Sequence, residues 1–145
     1  MIKLFHKAKD GGPDSNVTGY WLIEWKRVFS IAILKFSVGW RENYHSHAFN
    51  SASLLFGKGT LLEYVLDSDG NDYYEHVNVL QASILPVIHK RSCLHRVECI
   101  YNPVWALTIR GPWATTWSEF DPKAQKFITL THGRKILDYD APGKV

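Results

Sequence analysis

A chain of 145 residues, 46% hydrophobic and 21% charged with a net charge of +3, is one domain's worth of sequence with enough apolar residues for a core. That balance excludes a disordered chain, a collagen and a coiled coil, and no apolar run approaches the ~20 residues of a membrane helix. The 17 basic residues are scattered rather than gathered on one element, so nucleic acid is not an expected partner. Met1–Lys7 lacks the apolar h-region of a secretory signal, which makes the cytoplasm the expected compartment.

Residues 1–18 read as an extension leading to the fold, because Gly11-Gly12-Pro13-Asp14-Ser15-Asn16 has loop composition. Tyr20–Trp25 is a short apolar-aromatic segment that fits either a strand or one helical turn. Phe29–Val38, rich in β-branched and aromatic residues, reads as a buried strand ending at Gly39. Tyr44–Phe56 carries two histidines and an apolar run and closes at Gly57-Lys58-Gly59. Thr60–Leu66 and Tyr73–Leu80 read as a hairpin around the turn-rich stretch 67–72.

Ala82–His89, with Pro86 inside it, His95–Tyr101, Trp105–Arg110, Thr115–Phe120 and Lys126–Thr131 continue the series. Short strands at this spacing, with turn signals between them, predict an all-β sandwich or barrel over 19–137. The tail 138–145, with Ala141-Pro142-Gly143, is expected to be loose. Cys93 and Cys99 lie in the region of the His95 strand with no second pair, and read as free thiols in or near the core.

The sharpest local signal is His45-Ser46-His47. On a strand, residues two apart share a face, so both imidazoles can reach one metal ion. The alternative is a pair of surface histidines. A third ligand must come from a distant strand, and His95 is the natural candidate. Imidazole suits Fe, Ni, Cu and Zn alike, so the spacing does not choose the metal.

Gly39-Trp40-Arg41-Glu42-Asn43-Tyr44-His45-Ser46-His47 resembles the first cupin motif, a glycine, five residues and HxH. Gly57 stands seven residues after Asn50, which occupies roughly the place of that motif's carboxylate. Pro86 leading to His95 resembles the second motif at a longer spacing. A closer likeness is to small cupin-like proteins of bacteria and their viruses, whose pattern is matched by Tyr20-Trp21-Leu22-Ile23-Glu24-Trp25, His45–Asn50, Leu85-Pro86-Val87, His95-Arg96 and Gly111-Pro112-Trp113 with Trp117. The resemblance covers about residues 20–120. It implies a small double-stranded β-helix (jelly-roll) barrel, a divalent metal at His45, His47 and His95, and pairing of two copies into a homodimer.

With Asn50 (or Ser51) where the acidic ligand is usual, Glu63 is the candidate substitute, since odd-numbered positions of Thr60–Leu66 can face the same interior. Glu98, three residues past His95, alternates away from it. A three-histidine site is similar in geometry to that of thiol dioxygenases, which hold iron. Such a site stays cationic with a divalent metal and favours an anionic or thiolate substrate.

Four residues are weaker candidates for the pocket. Arg110 is either a bidentate clamp for a carboxylate or phosphate, or a strand-end surface residue. Trp113 and Trp117 either wall a pocket or pack the core, and His89 is a fourth imidazole or a strand-end residue. His6, His76 and His132 have no partner in sequence and read as surface residues. No Gly-rich phosphate loop and no GxSxG is present.

The expected function is a metal-dependent enzyme, foremost a non-haem iron oxygenase of a small polar or anionic molecule, with Zn, Ni or Mn as other metals. The rivals are a binding or sequestering protein for a nucleotide or sugar derivative, and a metal-dependent isomerase or epimerase using His89 or Glu63 as base. A barrel that has lost its metal is the bland alternative.

Overall fold

The period-two alternation becomes strands throughout. The computed structural model describes residues 1–40, 43–69, 72–121, 126–132 and 134–138, and among these there are thirteen strands and no helix. They are β1 (Lys3–Lys9), β2 (Val17–Trp25), β3 (Phe29–Phe36), β4 (Gly39–Trp40), β5 (Ser51–Gly57), β6 (Thr60–Ser68), β7 (Tyr73–Leu80), β8 (Val87–His89), β9 (His95–Ile100), β10 (Val104–Arg110), β11 (Thr116–Asp121), β12 (Lys126–Thr131) and β13 (Ile136–Asp138). Among the described residues no helix is long and apolar enough to cross a membrane.

Four local readings change. Residues 1–18 are not only an extension, because β1 pairs antiparallel with β2 from Lys3–Glu24 to Lys9–Thr18. Its charged sequence is exposed at every position but His6, so it carried no apolar alternation to reveal it. Tyr20–Trp25 is strand rather than helical turn and starts earlier, at Val17. Ala82–His89 keeps only Val87–His89, because Pro86 offers no N–H to a ladder. The histidines precede the strand of Tyr44–Phe56, which begins at Ser51. Of the tail, only Asp138 belongs to the described residues.

The strands form a six-stranded sheet in the order β1-β2-β3-β10-β5-β8, a four-stranded sheet β4-β9-β6-β7 and a three-stranded sheet β11-β12-β13. His45 joins the last two by isolated bridges to His95 and Glu119. Register then sorts the inward side chains into rows. On the large sheet Glu24, Ser30, Arg110, Ser51 and His89 stand side by side. Two steps along, Gly19, Leu34, Ala106 and Leu55 form an apolar row. Opposite them, Val65, His95, His45 and Glu119 share one row, Glu63 and Val97 the next, and Leu61 and Cys99 the third. The interior is therefore polar at one end and apolar at the other. Trp21, Leu34, Leu55, Leu61, Val104 and Ala106 form the buried core on the apolar side.

One glycine is fixed by contact. A Cβ on Gly59 would lie 1.9 Å from the Asn102 carbonyl oxygen and 2.7 Å from Val104 Cγ2, where β5 turns into β6. Neither neighbour is a flexible side-chain end. Gly59→Ala is expected to cost about 3 kcal/mol, read as a lower urea midpoint with an unchanged slope.

Candidate metal centre

Three backbone hydrogen bonds set the His45–His47 segment in place. His45 N–H donates to His95 O at 2.9 Å, His95 N–H returns to His45 O at 3.0 Å, and Ser46 N–H donates to Ser118 O at 2.8 Å. The extended backbone turns Ser46 into the protein, where it is 1% exposed, and brings the rings on either side of it together. The centroids of His45, His47 and His95 are 4.9 to 5.1 Å apart. One ring nitrogen from each lies within 4.8 Å of the others.

The donor chemistry fits a metal ion. His45 Nδ1 faces the Asn43 carbonyl oxygen at 3.2 Å, and His95 Nδ1 faces Glu63 Oε1 at 2.5 Å. An acceptor at Nδ1 places the ring proton there and leaves Nε2 with its lone pair, the arrangement a ligating imidazole needs. His47 Nε2 and His95 Nε2 are 2.8 Å apart, close to the about 3.0 Å between adjacent nitrogens bound at right angles to one ion at about 2.1 Å. Burial, then the charges of His95 and His45 and of Arg110, push His47 well below the ordinary imidazole range. Burial also lowers His95, against the opposing pull of Glu63. Both shifts favour the neutral ring that a metal ligand must be.

Glu63 stands behind this cluster. Its Oε1 accepts from His95 Nδ1 and from His89 Nε2, each at 2.5 Å, and its Oε2 accepts from Asn78 Nδ2 at 3.1 Å. Burial alone would raise its pKa, but the hydrogen bonds and charge of the two imidazoles outweigh burial and hold it far below the carboxylate range. Glu63, His89 and His95 form a second set of atoms close enough to hold a cation. His89 reaches it because β8 pairs with β5, setting His89 opposite Ser51.

The centre lies on a cavity of about 460 Å³ that is also lined by Arg110, Trp113, Trp117 and His132, a volume typical of small-molecule sites. Burial also pushes the Cys93 thiol up to about 11, so it supplies no thiolate near neutral pH.

No family model and no curated protein matches this sequence. Solved structures do. Oxalate decarboxylase from Bacillus subtilis aligns with a TM-score of 0.55 at 9% identity over 78% of this chain and 29% of its own. An oxalate oxidase gives 0.51 at 17% over 72% and 55%. An RmlC-like cupin from Shewanella frigidimarina gives 0.50 at 17% over 72% and 81%. The chain has the cupin fold. It spans less than a third of the oxalate decarboxylase chain and about half of the oxalate oxidase chain.

Within this cupin barrel the other candidates take distinct places. Asn50 is outside the centre: it is exposed, and its Oδ1 accepts the Arg91 N–H at 2.8 Å, so it serves a loop and not a metal. Arg110 is no surface residue, being 3% exposed, yet its fork is already taken. Asp10 accepts Nη1 at 3.2 Å and also pairs with Nη2, so Arg110 offers no open fork to a substrate carboxylate. Trp113 is both wall and core, packed on Phe49 at 4.8 Å and Trp21 at 6.3 Å. Glu98 alternates away from the site and accepts from Tyr64 Oη.

Two histidines read as surface residues border the cavity instead. His6 stacks on Trp21 and sits 3.0 Å from the buried Glu24, whose other oxygen is 3.2 Å from Lys26 Nζ. His132 is exposed but stands between Trp113 and Trp117 at 5.5 and 5.8 Å. His76 is a surface residue, paired with Asp67. Glu119 was missed by the sequence reading; it is 3% exposed in the same row as His45 and is held by Arg134 at 3.0 Å. Its only signal would have been the His45 bridge, which local patterning does not show.

Proposed function

We propose that this cupin barrel holds one divalent metal ion on His45, His47 and His95 and is a non-haem iron oxygenase of a small anionic molecule. The observation that carries this is the 2.8 Å approach of the His47 and His95 Nε2 atoms while the Nδ1 atoms of His95 and His45 are taken by acceptors. At that separation either a proton on His47 Nε2 or a shared cation lies between the two atoms, and the lone pair of His95 Nε2 serves both.

Iron bound there would supply redox chemistry and open coordination positions for substrate and dioxygen. The chain's own residues do the rest. Glu63 fixes the His95 ring and raises its basicity. Phe49, 6% exposed and stacked on His47, and Trp113 keep water from that side of the centre. A centre of three neutral ligands keeps the cation's charge, which draws an anionic substrate. The names of oxalate oxidase and oxalate decarboxylase describe chemistry on such an anion.

A second reading, a non-catalytic carrier of a small anion, is favoured by one observation. Among the described residues no carboxylate joins the three-imidazole group, since Glu63 is engaged behind it.

Elemental analysis of untagged protein, beside the His45→Ala/His95→Ala double variant, tests the proposal. Near-stoichiometric metal in the wild type that disappears in the variant is the expected result. Wild type that stays metal-free after anaerobic reconstitution overturns it. An oxygen electrode then separates the readings, because an oxygenase consumes oxygen with its substrate and a carrier does not.

A further inference from the structure

Two ends of the cavity differ in chemistry, and the charged side chains of Lys3, Lys9, Asp10, Glu24, Lys26 and Arg134 line it elsewhere. At one end are the imidazoles and Glu63. At the other Leu34, Leu55, Leu61, Leu80 and Ala106 line the same cavity, and no charged side chain stands in their rows. Val17, Phe36, Leu80 and Val87 border that end and are only partly buried. A packed protein interior leaves few voids larger than a water. Yet the whole space, about 460 Å³, has room for roughly fifteen atoms at about 30 Å³ each.

A second observation lies just outside. Leu80 and Val87 are joined by the loop 81–86, on which Ile84 is 94% and Leu85 71% exposed. The loop is tied to the barrel by Ser83 N–H donating to Leu55 O at 3.2 Å, so these side chains are held beside the apolar end of the cavity. Large apolar residues held exposed beside a cavity suit contact with an apolar body.

We propose that the ligand is an amphiphile. Its anionic head lies at the imidazoles, and its apolar body of about ten carbons fills the chamber of Leu34, Leu55, Leu61 and Ala106. The position of the head rests on the metal reading above, and the chamber does not.

Straight-chain carboxylates (butanoate, hexanoate, octanoate, decanoate and dodecanoate) provide the test, titrated calorimetrically into metal-free and metal-loaded protein. Each methylene that enters the chamber tightens binding about fourfold, so the dissociation constant is expected to fall steadily and level off near decanoate. Ala106→Phe, which fills the chamber, is expected to level the series at a shorter chain without changing metal content. Ala106→Leu serves if the larger side chain prevents folding.

Tightening with length in metal-free protein that takes up no metal keeps the chamber and sinks the metal centre. Full metal loading with affinity independent of length, or with no binding of any member, overturns the amphiphile. A series that levels at the same length in a folded Ala106 variant overturns it as well.

Discussion

Glu63→Ala will weaken both the fold and the metal centre. The carboxylate is 3% exposed and accepts from the buried His95, the partly buried His89 and the exposed Asn78, so its removal leaves two imidazole donors facing a void. Leaving these donors unpaired costs about 1–3 kcal/mol for each imidazole, a fall of roughly 10 °C in melting temperature for a chain of this length. In protein that remains folded, the His95 ring loses the acceptor that fixes its Nδ1 proton, and metal affinity drops about 10–100-fold. Glu63→Gln separates the two effects. It keeps the volume and one acceptor oxygen, so most of the stability returns, while the loss of negative charge behind His95 keeps the metal weak. Competition with a fluorescent chelator, beside thermal melts, reads both. Wild-type metal affinity in Glu63→Gln would show that the carboxylate only packs.

Asp10→Ala is the second large loss, far from the imidazoles. Arg110 is enclosed by the rings of Phe49, Trp21 and Trp113, 4.3, 4.8 and 6.0 Å from its guanidinium carbon, and Asp10 is the anion on its fork. Without Asp10 a buried cation is left uncompensated, at a cost of about 3 kcal/mol. That is the low end of the range, because the Asp10 side chain keeps 24% exposure. The aromatic faces offset part of the charge but make no hydrogen bonds. The double variant Asp10→Ala/Arg110→Met is expected to recover much of the loss, because no charge then remains to be solvated. Chemical denaturation of the three variants measures this. Additive losses in the double variant would refute an uncompensated charge as the cause.

Local sequence patterning revealed some of this site and concealed the rest for identifiable reasons. His45 and His47 were legible because two residues on an extended chain share a face. Glu63 was legible by the same period along β6. Its role was not, since whether it ligates or supports depends on which side of His95 it reaches, and that is set by the pairing of Glu63 with Val97. The segment Gly39–His47 resembles a cupin motif, and the structure has that fold. The acidic position of that motif, here Asn50, misdirects, because an Asn there turns outward to hold Arg91. Arg110 was legible as a clamp for an anion, but its pairing with Asp10 was beyond any local reading. They are 100 residues apart, and β1, which leads into Asp10, is a charged strand that forms only because β2 offers it an edge. His6 was hidden for the same reason.

The position of β10 at the centre of the large sheet has a kinetic consequence. It lies between β3 and β5, yet it follows both in the chain by some fifty residues or more. Until it arrives, β3 and β5 have no common neighbour, and that sheet exists only as separate pieces. The imidazoles are under the same constraint, since His47 and His95 are 48 residues apart. Chains that must close such long loops before they gain contacts fold in milliseconds to seconds rather than microseconds. A metal ion held as proposed would therefore find its three ligands only after the barrel has closed. It would act as a clamp on the finished fold, slowing its opening, and not as a template that speeds its formation.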